Sequence, residues 1–93
     1  VRSGSVTWRP RAADQLADIL GYIAERDKQA ADRIDGLVSK SVALIRAAPD
    51  AGRPGRVPRT REWVVHPNYL IVYRVTRSGI VILRFLHARQ LYP

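Results

Sequence analysis

The amino-acid sequence predicts an α+β domain spanning 1–93, with a two-helix hairpin on one face of a small, mainly antiparallel four-stranded sheet, in the order β-α-α-β-β-β. Three observations carry that expectation. Apolar residues recur every three or four positions between Leu16 and Ala48. The last third consists of β-branched and aromatic runs separated by short turn signals, and a Pro/Gly/Arg stretch divides the two regions. A chain of 93 residues hides only about 60–65% of the surface its unfolded form exposes, so one thin core is expected and function must sit on its outside.

Val1–Ser5 is small and polar, reads as a disordered or non-native start, and is set aside. Ser5–Trp8 alternates polar and apolar residues as a short strand does, and Pro10 suits a first helical position because its missing N–H has no partner there. Leu16, Ile19, Leu20, Ile23 and Ala24 share one helical face, which predicts a first helix from Pro10 to about Arg26. Asp27 is the expected N-cap of a second helix, whose stripe is Ile34, Leu37, Val38, Ser41, Leu44, Ile45 and Ala48, with Pro49 as its stop. Pro49–Arg59 holds three Pro, two Gly and three Arg without periodicity and is expected to be a basic surface loop. Strands follow at Arg61–His66, Tyr69–Val75 and Ile80–Ala88, with turns at Pro67-Asn68 and Arg77-Ser78-Gly79.

Simple alternation makes both faces of this sheet apolar. Val81, Leu83, Phe85 and His87 are expected on one side of the last strand and Ile80, Ile82, Arg84 and Leu86 on the other; Leu70 and Val72 oppose Tyr69, Ile71 and Tyr73. Two helices cover one face, so the second requires a partner or a flanking loop. An external protein partner is the preferred account, and an acidic one, because it would also meet Arg74 and Arg84.

The charge distribution agrees. Of the formal +8, residues 1–50 contribute +1 and residues 51–93 contribute +7, the latter from eight Arg and Glu62 alone. Guanidinium forks suit phosphate and carboxylate recognition better than ammonium groups do. Solubility would explain Arg over Lys but not the near absence of acids after Asp50. With no Cys and two His, neither a disulfide framework nor a metal site is expected, nor any cofactor. No Gly-rich phosphate loop or nucleophile elbow occurs, and no stretch is long and apolar enough for a membrane span, which predicts an intracellular protein. His87, Arg89 and Tyr92 remain as the one cluster with the functional groups for metal-free phosphodiester cleavage, a base, a cation and an acid. The competing structural roles are a hydrogen-bonded His87, a solvated Arg89 and a packed Tyr92.

The G-R-P-G-R-V-P loop leading into R-E-W-V-V-H, the phrase P-N-Y-L-I-V-Y-R-V and the ending V-I-L-R-F-L-H-A-R-Q-L-Y-P together resemble the RelE/ParE superfamily of bacterial type II toxins, and the ParE branch in particular. The resemblance covers nearly the whole chain beyond Ser5. It implies a cytoplasmic toxin, of the plasmid-stabilisation type, neutralised by a cognate antitoxin and linked to operator DNA only through that antitoxin. It implies either inhibition of DNA gyrase, which is the preferred expectation, or ribosome-dependent mRNA cleavage. For cleavage, the matching residues are His87, Arg89 and Tyr92; Ala88 replaces a frequent Arg, and the lysines common in the nucleases are missing from the second half. Arg53, Arg56, Arg59, Arg61, Arg84 and Arg89 are the expected target or nucleic-acid contacts. The expected antitoxin contacts are Leu70, Val72, Arg74, Ile80, Ile82, Arg84 and Leu86. A basic nucleic-acid-binding module without toxic activity is a third class, and it would require an Arg-rich recognition helix that the sequence lacks.

Overall fold

The computed structural model describes residues 4–93 and places two helices on one face of a mixed five-stranded sheet. The elements are β1 (Ser5–Trp8), α1 (Pro10–Ala24), α2 (Lys28–Ala47), a one-turn 3-10 helix (Pro49–Ala51), β2 (Arg53–Pro54), β3 (Arg61–His66), β4 (Tyr69–Thr76) and β5 (Gly79–His87). The spatial order is β1-β5-β4-β3-β2, with β1 parallel to β5 and every other pairing antiparallel. Of the set-aside start, residues 1–3 lie outside the described residues, and Ser5 opens β1.

Local chemistry sets the helix boundaries. Pro10 occupies the start of α1, and Asp27 caps α2 by accepting the Ala30 N–H through Oδ1 at 3.1 Å. The helices bury Ala12, Ile34, Val38 and Ile45 against Ile71, Tyr73, Ile80, Ile82 and Phe85 of the sheet. That is the main core.

Three expectations need correction. The sheet has a fifth strand, inside the stretch read as a loop: Arg53 pairs with Glu62 and Pro54 with Arg61. Pro tolerates this place because an edge strand leaves one side of its backbone unpaired. Arg53 Nε donates to Glu62 Oε1 at 2.9 Å, and Arg61 Nη1 donates to the carbonyls of Gly52 at 2.8 Å and Asp50 at 3.1 Å, so side chains fasten what the backbone pattern did not predict.

The second correction concerns Ile80 and Ile82, expected on the outer face as antitoxin contacts. Both lie under the helices in the main core, together with Phe85. A register shift separates Val72 opposite Arg84 from Tyr73 opposite Ile82, leaving Leu83 as the extra residue of a β-bulge. One inserted residue exchanges the faces on either side of it, so alternation counted through Leu83 assigns half the strand wrongly. The Phe85 N–H, just beyond the bulge, donates to Gln15 Oε1 at 3.0 Å.

The third correction concerns the cover of the outer face. Leu70, Val72 and Leu86 form a second small core, and Tyr92 and Ala88 from the chain's own last residues pack on it. Tyr92 is only 6% exposed. The flanking segment thus does much of what an external partner was expected to do, although Val64, paired with Leu70 on that face, stays 52% exposed.

Candidate functional site

The outer sheet face carries the charge. Leu70, Val72 and Arg74 alternate along β4 onto this face, and Arg84 and Leu86 of β5 join them through the Val72–Arg84 and Leu70–Leu86 pairings. Glu62 of β3 also faces Val72, so Glu62, Val72 and Arg84 make one row across three strands. Glu62 is 7% exposed and held by Arg53. The Nε atoms of Arg74 and Arg84 are shielded from solvent and hydrogen-bond to no group among the described residues. Burial lowers the Arg84 pKa from its ordinary value, and repulsion from Arg11 lowers it further.

The other predicted contact arginines divide by what they already do. Arg53 and Arg61 are tied into β2 and the 3-10 turn as described, and Arg61 also approaches Asp50 Oδ1 at 3.8 Å. Arg56 packs its guanidinium 4.9 Å from the centre of the Tyr92 ring. Its backbone N–H donates to the Tyr92 hydroxyl and its Nη1 to the Tyr92 carbonyl, both at 3.4 Å. Arg59 is exposed in the left-handed region (φ 66°), in the turn closed by the Thr60 Oγ1 bond to the Val57 carbonyl at 2.6 Å. Arg89 is exposed on the tail.

His87, Arg89 and Tyr92 do not converge. His87 pairs with Tyr69, sits edge-on to its ring at 5.5 Å, and therefore lies on the helix side of the sheet. Its Nδ1 accepts the Arg89 N–H at 3.2 Å. Tyr92 lies on the opposite face. A mainly apolar cleft of about 470 Å³ opens on the helix side, lined by Ile23, Ile34, Leu37 and Tyr69 together with the polar Arg33, His66 and Asn68. Sequence reasoning missed His66, whose ring lies tilted against that of Tyr69 at 5.8 Å and which accepts the Asn68 N–H through Nδ1. It also missed Glu62 as a member of the charged face, for which its isolation among eight arginines was the available signal, and the repulsion that Arg11 of α1 exerts on Arg84.

Residues 6–92 match the family described as the ParE toxin of type II toxin–antitoxin systems, parDE. The chain is 37% identical over 89 residues to Y4kP, a Sinorhizobium fredii protein named as a toxin, covering 95% of this chain and 92% of that one. Among solved structures it is similar to a chain of the chromosomal ParDE toxin–antitoxin system of P. aeruginosa, with a TM-score of 0.79 and 25% identity, over 91% of this chain and 96% of that one. It also shares its fold with the YoeB/ParE toxin of Agrobacterium tumefaciens, with a TM-score of 0.66 and 14% identity, over 89% and 96% of the two chains.

Proposed function

The chain belongs to the ParE toxin family of type II toxin–antitoxin systems, and from that premise we propose that it arrests growth in the cytoplasm by binding DNA gyrase and is held inactive by a cognate antitoxin. It is a toxin in which the sheet and its basic loop form a gripping surface. One observation favours gripping over cutting: His87 and Tyr92 sit on opposite faces of the sheet, so the base and the acid that RNA cleavage requires do not face a common phosphate. Tyr92 is in addition packed and hydrogen-bonded, and no Lys is present in the C-terminal half to take over its proton transfer. On this reading the exposed cations Arg59 and Arg89 and the outer edges of Arg53 and Arg56 meet the target, and operator DNA is reached only through the antitoxin.

Ribosome-dependent mRNA cleavage is the second reading, and it draws on the position of Tyr92 on the same face as Arg74 and Arg84. Purified toxin in a gyrase supercoiling and cleavage-complex assay, run beside an mRNA-cleavage assay in a translation extract, separates the two. Supercoiling is expected to fall and mRNA to stay whole, and Tyr92→Phe is expected to keep the toxicity. Untouched supercoiling together with cut mRNA would overturn the gyrase reading.

A further inference from the structure

Arg74 and Arg84 are neighbours, and neither forms an ion pair among the described residues. Val72 faces Arg84 across the strands and Arg74 lies two residues further along β4, so their backbones are diagonal neighbours about 7–8 Å apart on one face. Each presents an Nε–H that is shielded from solvent and bonded to nothing among the described residues. Arg11 adds a third positive charge near Arg84. Burying donors of charged groups without acceptors is unfavourable, and a group accepting from both arginines would relieve it.

The same face identifies the acceptor. In the row Glu62–Val72–Arg84, a carboxylate is already seated against an arginine Nε, the Arg53–Glu62 pair at 2.9 Å. Glu62 is an obstacle to a line of phosphates, because a polyanion crossing the row would meet a buried negative charge. It is no obstacle to one carboxylate reaching the Arg74–Arg84 side. The surroundings are apolar: Leu70, Val72 and Leu86 below, half-exposed Val64 on the same face, and exposed Leu91 on the tail. A peptide that brings one acidic side chain among apolar ones fits these surroundings, and a nucleic-acid backbone does not.

We propose that Arg74 and Arg84 form a clamp for a single carboxylate side chain of the antitoxin, borne on a segment whose apolar residues contact Val64 and Leu91. The inference rests on the toxin–antitoxin reading above. The two guanidinium forks hold the carboxylate from both sides, and the apolar flanks exclude water from the pair.

The test uses the purified toxin and its cognate antitoxin. Arg74→Gln and Arg84→Gln are each expected to weaken binding at least about tenfold, and Arg77→Gln in the exposed β4–β5 turn less than about threefold. Thermal melts of the free variants are expected to match or exceed the parent, because each substitution removes an unpaired charge. Arg84→Lys is expected to restore less than half of the lost affinity, since an ammonium cannot form the fork. Parent-like antitoxin binding by both Gln variants would overturn the clamp and leave the toxin reading standing. Loss of binding to a single-stranded RNA oligonucleotide with antitoxin binding unchanged would overturn it in favour of a phosphate site. A parent protein that neither binds the antitoxin nor inhibits growth would remove the reading underneath it.

Discussion

At the scale of single residues, the Tyr73 hydroxyl shows how one polar atom can fix a chain segment. It donates to the Pro49 carbonyl at 2.7 Å and accepts the Gly52 N–H at 3.1 Å, fastening the 3-10 turn to the middle of the sheet. Gly52 must be glycine because a Cβ there would collide with that hydroxyl. Tyr73→Phe is expected to lower stability by about 1–3 kcal/mol, since it orphans a buried donor and acceptor together; urea unfolding measures it. The pH dependence follows from the same burial. Desolvation raises the Tyr73 pKa above 10.0, against the opposing effects of the Gly52 N–H and Arg61. Native protein therefore holds the phenol proton more tightly than unfolded chain, so the contribution is complete below about pH 10 and is lost as pH climbs through the raised value. The alkaline fall in stability should be shallower in Tyr73→Phe than in the parent.

At the scale of elements, the bulge in β5 decides which side chains reach which face. Gln15 from α1 accepts the N–H of Phe85 next to it, so a helix side chain stabilises an irregularity of the strand. Gln15→Leu is expected to cost about 1–3 kcal/mol by leaving that N–H unpaired, with amide hydrogen exchange at Phe85 accelerated more than at Ile71. The helices, their caps and the three long strands were legible in the sequence, because periodicity, Asp27 and the prolines are local signals. The bulge was not, because nothing in I-V-I-L-R-F-L-H distinguishes an inserted Leu83 from its neighbours. The two-residue β2 was hidden for the related reason that its strand character comes from Arg53–Glu62 and Arg61–Gly52, contacts between residues about nine positions apart. Gly79, with φ 145°, starts β5 where a side chain would run into the Ser5 carbonyl; glycine permits the close approach of β1.

At the scale of the whole molecule, one sheet separates two cores of unequal size, and the smaller depends on the last residues of the sequence. Tyr92→Ala is expected to destabilise the protein by about 3–5 kcal/mol, as loss of a buried aromatic does, and Tyr92→Phe by less than about 1 kcal/mol, because its hydroxyl bond is long at 3.4 Å. Thermal melts of the two variants check the contrast, and similar losses would contradict the packing role. The surplus of apolar residues on the sheet was legible, as was the concentration of positive charge in the same half. That the chain would supply much of its own cover was not, because a single aromatic beyond the last strand carries no periodicity. The same limit applied to the site: His87, Arg89 and Tyr92 are adjacent in sequence, yet the sheet lies between two of them.

The sheet order β1-β5-β4-β3-β2 has a further consequence in time. Among the described residues β1 pairs with β5 alone, which is also a partner of β4. A nascent chain emerging from the ribosome presents β1 first and must leave its edge unmatched until Gly79–His87 has been made, some seventy residues later. The sheet is therefore completed only once the last strand has been made, and the Arg74–Arg84 pair on its outer face comes together late in the synthesis of the domain.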